Sequence, residues 1–156
     1  MNIADVTIDI TIGMVSYKAW LTTSYIATAL VGDGGTPLIV NNEMGPDQED
    51  AFLSFIDEAS REVLKVFLSR QGDATGVPFE KTTTNVIYRF NEAIPVLPQA
   101  SAIKNALTED VKNALFTYVT FLWLNLKKNT EQAVLVFGRY QKLTKDIDIN
   151  LYRLHD

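Results

Sequence analysis

The sequence predicts a mainly α domain of three or four helices with a small antiparallel β element. Three observations carry that prediction. A stripe of Phe52, Phe55, Ile56, Ala59, Val63, Val66 and Phe67 recurs at three- and four-residue steps with charges opposite it. A long apolar stretch, "ALFTYVTFLWLNLKK" (114–128), has acids ahead of it and lysines behind it. A short segment near Tyr88 alternates at period two between turn-forming runs.

The elements follow in chain order. In "IADVTIDITI" (3–12), Val6, Ile8, Ile10 and Ile12 alternate with Thr7, Asp9 and Thr11, which predicts a strand or an extended N-terminal arm over residues 1–13. A helix starting at Ala4 and Asp5 is the alternative, and Gly13 is a break. From Met14 to Leu30 the pattern is helical, with Tyr17, Trp20, Leu21, Tyr25 and Thr28 on one stripe. "GDGGTP" (32–37) and "NNEMGPD" (41–47) are loops around a short strand at Leu38 to Val40.

The next helix runs from about 48 to 70. Asp47 caps it, Asp50 sits in a capping-box-like position, and Glu49 and Asp50 favour the positive end of its dipole. Gly72 stops it. "GDATGVP" (72–78) is a loop, and "TTTNVIYRF" (82–90) is a strand that pairs with 38–40. Pro95 and Pro98 keep 91–98 extended. Residues 101–107 form a short helix. Thr108 then caps a long one, with Glu109 and Asp110 in its first turn and Lys127 and Lys128 in its last. Thr130 caps a final helix whose inner stripe is Ala133, Val134, Phe137, Tyr140, Leu143 or Thr144, Ile147 and Leu151. No repeat or linker divides the chain, so the 156 residues read as one domain.

Composition narrows the function. There are no cysteines, which removes disulfides, thiolate metal sites and cysteine nucleophiles and suits a reducing compartment. The one histidine, His155, is the penultimate residue, a poor place for a catalytic or metal-ligating group. The N-terminus carries Asp5 and Asp9 and no basic region, unlike a signal peptide. No run of eighteen apolar residues is present, so no membrane-spanning helix is expected. Net charge is −5 but unevenly spread. Residues 1–62 hold ten acids against two bases, a net of −8, and residues 63–156 hold twelve bases against nine acids, a net of +3. Opposite potentials on two parts of one chain steer association between copies. The acidic total disfavours nucleic-acid binding by clustered bases.

No catalytic constellation emerges. "GDGG" is followed by no lysine, and G-x-x-x-x-G-K-[ST] does not occur. "DIDIN" (146–150) starts as an EF-hand loop would, but Leu151 stands where glycine is needed. Asp146 and Asn150 read instead as neighbours on a solvent face. Asp57–Glu58 and Glu109–Asp110 are adjacent on helices and point apart. No serine has a partner other than His155 for a triad. The expectation is a protein that is not an enzyme and has no cofactor or metal.

Ten of the first thirteen residues of 114–128 are apolar or aromatic. On a helical wheel only Asn113, Thr117 and Thr120 form a polar stripe. A helix apolar nearly all round is buried nearly all round, either at the centre of one subunit or against another. Exposing three or four large apolar side chains, each worth roughly 1.5–3 kcal/mol, rivals a domain's whole stability. Phe116, Phe121 and Trp123 lie on different faces, which favours an oligomer with these three as anchors and the acidic helix start at Glu49 and Asp50 as a charge partner.

The region "YIATALVGD…DQEDAFLSFIDEASREVLKVFL…NVIYRF…LTEDVKNALFTYVTFLWLNL…EQAVLVFGRYQKLTKDIDINLYRL" resembles small neck proteins of tailed bacteriophages, nearest those of gut Bacteroides-type phages including the crAss-like group. The resemblance lies in the loop after Tyr25–Leu30, the acidic-capped helix with Phe55 and Ala59, and the strand near Tyr88. It continues in the apolar helix ending at Trp123–Leu124 and the last helix with Tyr140 and Arg153. It implies a virion structural protein: a head–tail connector subunit in a ring of typically about twelve copies between portal and tail proteins, through which DNA passes, assembled in the host cytoplasm. It implies no catalytic residues, no membrane and no sequence-specific nucleic-acid contact. An N-terminal arm would add a strand to a neighbour. The alternative is a small non-enzymatic binding or regulatory domain acting as monomer or dimer.

Overall fold

A computed structural model describes residues 3–29, 49–70, 79–93 and 100–155. The described elements are β1 (Ile3–Thr11), α1 (Ile12–Ala29), α2 (Glu49–Arg70), β2 (Phe79–Lys81), β3 (Asn85–Ala93), α3 (Ala100–Leu126) and α4 (Thr130–His155). The fold is mainly helical with a small antiparallel sheet, as the sequence predicts. The loops at 32–37, 41–47 and 72–78, the strand at 38–40, the Asp47 cap and the extended segment 94–98 lie outside the described residues.

The sheet order is β1-β3-β2, all antiparallel. β1 pairs with β3 along its whole length, Ile3 opposite Ala93 through Thr11 opposite Asn85. Ile8 faces Tyr88 and Ile10 faces Val86 across the ladder, and all four are buried while Thr7, Asp9 and Thr11 are exposed. The N-terminal segment is therefore an edge strand of its own subunit's sheet. Its alternation places one apolar face on the core, and β3 takes up the backbone hydrogen bonds along one of its edges.

β3 begins at Asn85 rather than Thr82. Thr82–Thr84 turn the chain from β2 into β3: the Thr82 amide donates to the Asn85 carbonyl (2.9 Å), and the Asn85 amide donates to Thr82 Oγ1 (3.0 Å). Hydroxyls bonding nearby backbone compete with ladder pairing, so the threonine run makes a turn. The Ile12 amide donates to the Thr84 carbonyl at 2.8 Å. The helix starts there and runs through Gly13.

The inner stripe of α2 follows the predicted spacing: Phe52, Ile56, Ala59, Val63 and Phe67 are buried, with Phe55 and Val66 packed beside them. Two ion pairs lie on its surface. Arg61 joins Asp57 at 3.2 Å and Lys65 joins Glu62 at 2.7 Å.

α3 is one continuous helix over Ala100–Leu126. Thr108 does not cap it. Its Oγ1 donates to the Lys104 carbonyl one turn back (2.9 Å), which is compatible with a helix interior. The helix ends in a Schellman arrangement: the Asn129 amide donates to the Leu124 carbonyl (2.9 Å) and the Lys128 amide to the Asn125 carbonyl (3.1 Å), with Lys128 at φ 60°. α4 then folds back antiparallel along α3. Tyr118 meets Tyr140, and Phe121 meets Phe137, each with ring centroids 4.8 Å apart. The final stripe also differs from expectation, since Val134 is exposed and Val136 is buried.

α3 is the shared centre. α1, α2, α4 and β1 all pack against it. The main core cluster draws on β1, β3 and all four helices. A smaller one, Leu124, Ala133 and Val136 with Phe121 against it, sits by the α3–α4 connection.

Candidate interaction surface

α3 leaves little apolar surface to share. Trp123 is 1% exposed and belongs to the core of its own subunit, with the Lys127 ammonium 4.9 Å from the ring centroid. Phe116 is half-buried, and Lys18 of α1 lies over its ring at 5.5 Å. Phe121 is half-buried between Tyr118 and Phe137. These three expected anchors are used internally. The supposed polar stripe is internal as well: Thr117 and Thr120 are buried, and the Thr120 hydroxyl is satisfied by the Phe116 carbonyl at 2.8 Å. Four elements surround α3, which is enough to enclose a helix apolar on nearly every side. Leu126, in its last turn, remains exposed.

The uncovered apolar surface lies on the outer helices. α1 turns Ile12, Val15, Ala19 and Thr23 inward. These residues are small or β-branched and admit close approach to α3. Met14, Tyr17 and Trp20, spaced three apart, consequently face solvent. The Tyr17 and Trp20 rings lie 6.1 Å apart and form a small aromatic ledge. The stripe that the sequence suggests through Tyr17 and Trp20 is thus not the buried one. The rival series Ile12, Val15, Ala19, Thr23, at the same spacing, is the buried one.

α4 exposes Val134 and Leu135 near its start and Ile149 near its end. Arg139, Lys142, Lys145 and Arg153 are also exposed along it. α2 exposes Leu53 and Leu68, along with Asp50, Ser54, Glu58, Arg61 and Lys65. Glu49 is the first residue of α2, and Asp50 follows it in the opening turn with its side chain exposed.

Several polar groups have structural partners. The Tyr88 hydroxyl donates to the Ser60 carbonyl at 2.7 Å, and burial pushes its pKa well above the ordinary tyrosine value. Asn150, expected on a solvent face, is buried, and its side-chain amide donates to Asp110 Oδ2 at 2.9 Å. The Asp110 carboxyl is raised above its ordinary range by partial desolvation, then by nearby Asp146, against the lowering effect of that hydrogen bond. Asp57 is held by Arg61 and, at 3.6 Å, by Lys81. Glu109 is held by Lys112 at 2.9 Å. Among the described residues no group of three or more histidine, aspartate or glutamate side chains is placed to hold a metal ion. No helix among them is long and apolar enough to cross a membrane.

No family model matches the chain, and no solved structure matches it. The chain is similar to a protein of Methanocaldococcus jannaschii described as an uncharacterized ATP-binding protein, with 26% identity over 144 residues. The match takes in 85% of this chain and spans 38% of that protein's length.

Proposed function

We propose that this chain is a structural subunit that assembles with copies of itself, as a head–tail connector ring of a tailed phage particle joining portal to tail. The observation that supports assembly is the aromatic ledge of Met14, Tyr17 and Trp20, exposed among the described residues. Aromatic residues and methionine are enriched where proteins meet. The phage setting rests on the resemblance of the helix order and hydrophobic positions to small neck proteins. On this reading the protein works by adhesion and geometry, and DNA passes through the assembled ring without being read.

ATP binding is not carried over from the archaeal relative. The overlap spans 38% of that protein, and G-x-x-x-x-G-K-[ST] does not occur in the 156 residues.

The test is the solution mass of the purified protein over a range of concentrations, alone and with a portal protein. A closed multimer, lost on replacing Trp20 and Tyr17 by serine, is the expected result. A chain that stays monomeric or dimeric at high concentration, portal present, overturns the ring and favours a small binding or regulatory domain.

A further inference from the structure

We infer that β1 is a docking edge whose occupant is β1 of a second copy, the two strands pairing antiparallel about a two-fold axis at Ile8. The contact is separate from the aromatic ledge. A two-fold pairing joins two copies and closes no ring by itself, so it holds whether or not the ring does.

The sheet treats its two edges differently. In the order β1-β3-β2 both outer strands present an edge among the described residues. β2 has three residues, two of them the charged Glu80 and Lys81, and so short and charged a strand makes a poor template. β1 has nine residues in unbroken register with β3, with no bulge, proline, lysine or arginine. Its one guard against pairing is a pair of acids, Asp5 and Asp9.

The direction of its hydrogen bonds follows from one contact. The Ile12 amide donates to the Thr84 carbonyl at 2.8 Å, and Ile12–Thr84 continues the register that sets Thr11 against Asn85. In an antiparallel ladder bonded and non-bonded pairs alternate. Ile10 and Ile8 therefore turn their amides and carbonyls to β3, while Thr11, Asp9 and Thr7 turn theirs to the open edge. The same three residues are exposed, and Ile8 and Ile10 are buried.

The sequence selects the occupant. Asp5, Thr7, Asp9 and Thr11 alternate acid with threonine. When two copies of β1 run antiparallel about Ile8, Thr7 of one stands opposite Asp9 of the other, Thr11 stands opposite Asp5, and Ile8 meets Ile8. These polar positions are the ones whose backbone faces the edge, so the pairing forms about eight main-chain hydrogen bonds. No acid meets an acid. Moving the axis to Thr7 sets Asp5 against Asp9 twice, and moving it to Asp9 sets Asp9 against itself. Like charges directly opposite destabilise a strand pair. Asp9 Oδ1 accepts from Asn85 Nδ2 at 2.6 Å, which leaves Oδ2 for the Thr7 hydroxyl of the other copy. The acids that guard the edge against other strands thus admit this strand in one full-length register.

The experiment reads amide hydrogen exchange and sedimentation mass of the full chain against protein concentration. The amides of Thr7, Asp9 and Thr11 should slow about tenfold or more between dilute and concentrated protein, while those of Ile8 and Ile10 stay slow throughout. Thr7→Asp creates two like-charge pairs across the axis and should weaken association about tenfold. Thr7→Lys sets a cation against Asp9 and should not weaken it. Thr7→Pro removes an edge donor without touching a bond to β3 and should abolish it. Position 7 is exposed, and circular dichroism melts check that the three variants fold. The Tyr17→Ser, Trp20→Ser protein should keep the slowed amides, because the ledge belongs to a different contact. Exchange at Thr7, Asp9 and Thr11 that does not change with concentration overturns the edge contact, and so does a Thr7→Pro protein that associates like the unaltered chain. If Thr7→Lys and Thr7→Asp weaken association alike, the axis at Ile8 is overturned. A multimer that survives Thr7→Pro and is lost with Tyr17→Ser and Trp20→Ser leaves the ring standing without this contact. Slowed edge amides in a chain that forms no ring leave this contact standing without the ring.

Discussion

The Tyr88 hydroxyl hydrogen-bonds the Ser60 carbonyl at 2.7 Å, and the Tyr88 ring stacks on Phe67 with centroids 4.8 Å apart and planes 7° from parallel. Through this one side chain β3 is fixed to α2 at both its polar tip and its apolar body. Phe79 of β2 leans on the same ring at 5.5 Å.

Tyr88→Phe keeps the stack and removes the hydrogen bond, so it should cost about 1 kcal/mol. Tyr88→Ala removes both and leaves a cavity, and should cost about 3–5 kcal/mol. Urea unfolding of the two variants reads the difference. Equal losses would mean that the ring contributes nothing beyond its hydroxyl.

Trp123 and Trp20 should behave in opposite ways. Trp123 is enclosed, so Trp123→Ala should cost about 3–5 kcal/mol of folding stability. Trp20 is 38% exposed, so Trp20→Ala should cost less than that, about 1–2 kcal/mol, while weakening self-association. Denaturant midpoints and solution masses of both variants, measured at low and high protein concentration, separate the two roles. A stable, fully assembling Trp20→Ala protein would remove the aromatic ledge from the interface.

What the sequence disclosed, and what it hid, follows from how each helix is patterned. α2 was legible because Phe52, Ile56, Ala59, Val63 and Phe67 form one stripe and the charges stand opposite it. α1 was not, because Met14, Val15, Tyr17, Ala19 and Trp20 give it apolar residues on every side. Such a wheel does not say which stripe is inside. The narrower Val15–Ala19 side won because it lets the backbone approach α3. The same ambiguity on α3 made Trp123 look like an anchor. Asn150 was misplaced for another reason: its partner, Asp110, is forty residues away in sequence and on a different helix. Long-range polar pairing leaves no periodic trace.

Asp110 gives the fold a small dependence on pH. Its carboxyl is raised, chiefly because partial burial disfavours the charged form. The folded chain thus holds this proton to higher pH than the unfolded chain, whose aspartates titrate at about 3.9. In the interval between the two values the folded state binds more protons, so this group's contribution falls as pH rises through it. Much of the carboxyl remains in solvent, which limits the effect to about a few tenths of a kcal/mol. Asp110→Asn keeps an acceptor for Asn150 and removes the repulsion from Asp146. Its melting temperature, compared with that of the unaltered protein, should gain more at pH 7 than at pH 4. A gain that does not depend on pH would assign the effect to packing.

Lys128 offers the clearest stabilising change. It is exposed and sits at φ 60° in the turn between α3 and α4, where a side chain's Cβ crowds the backbone. The position is required by the α3 cap: the Lys128 and Asn129 amides reach back to the Asn125 and Leu124 carbonyls only if the chain takes this left-handed step. Glycine makes the same step without the steric penalty. Against this, glycine also frees the unfolded chain, which offsets part of the gain. The steric term is the larger, so Lys128→Gly should stabilise the subunit by about 0.5–1 kcal/mol. Lys128→Ala, which keeps the Cβ, should not. Thermal unfolding of the pair decides it, since equal melting temperatures would show that the left-handed step carries no strain to relieve.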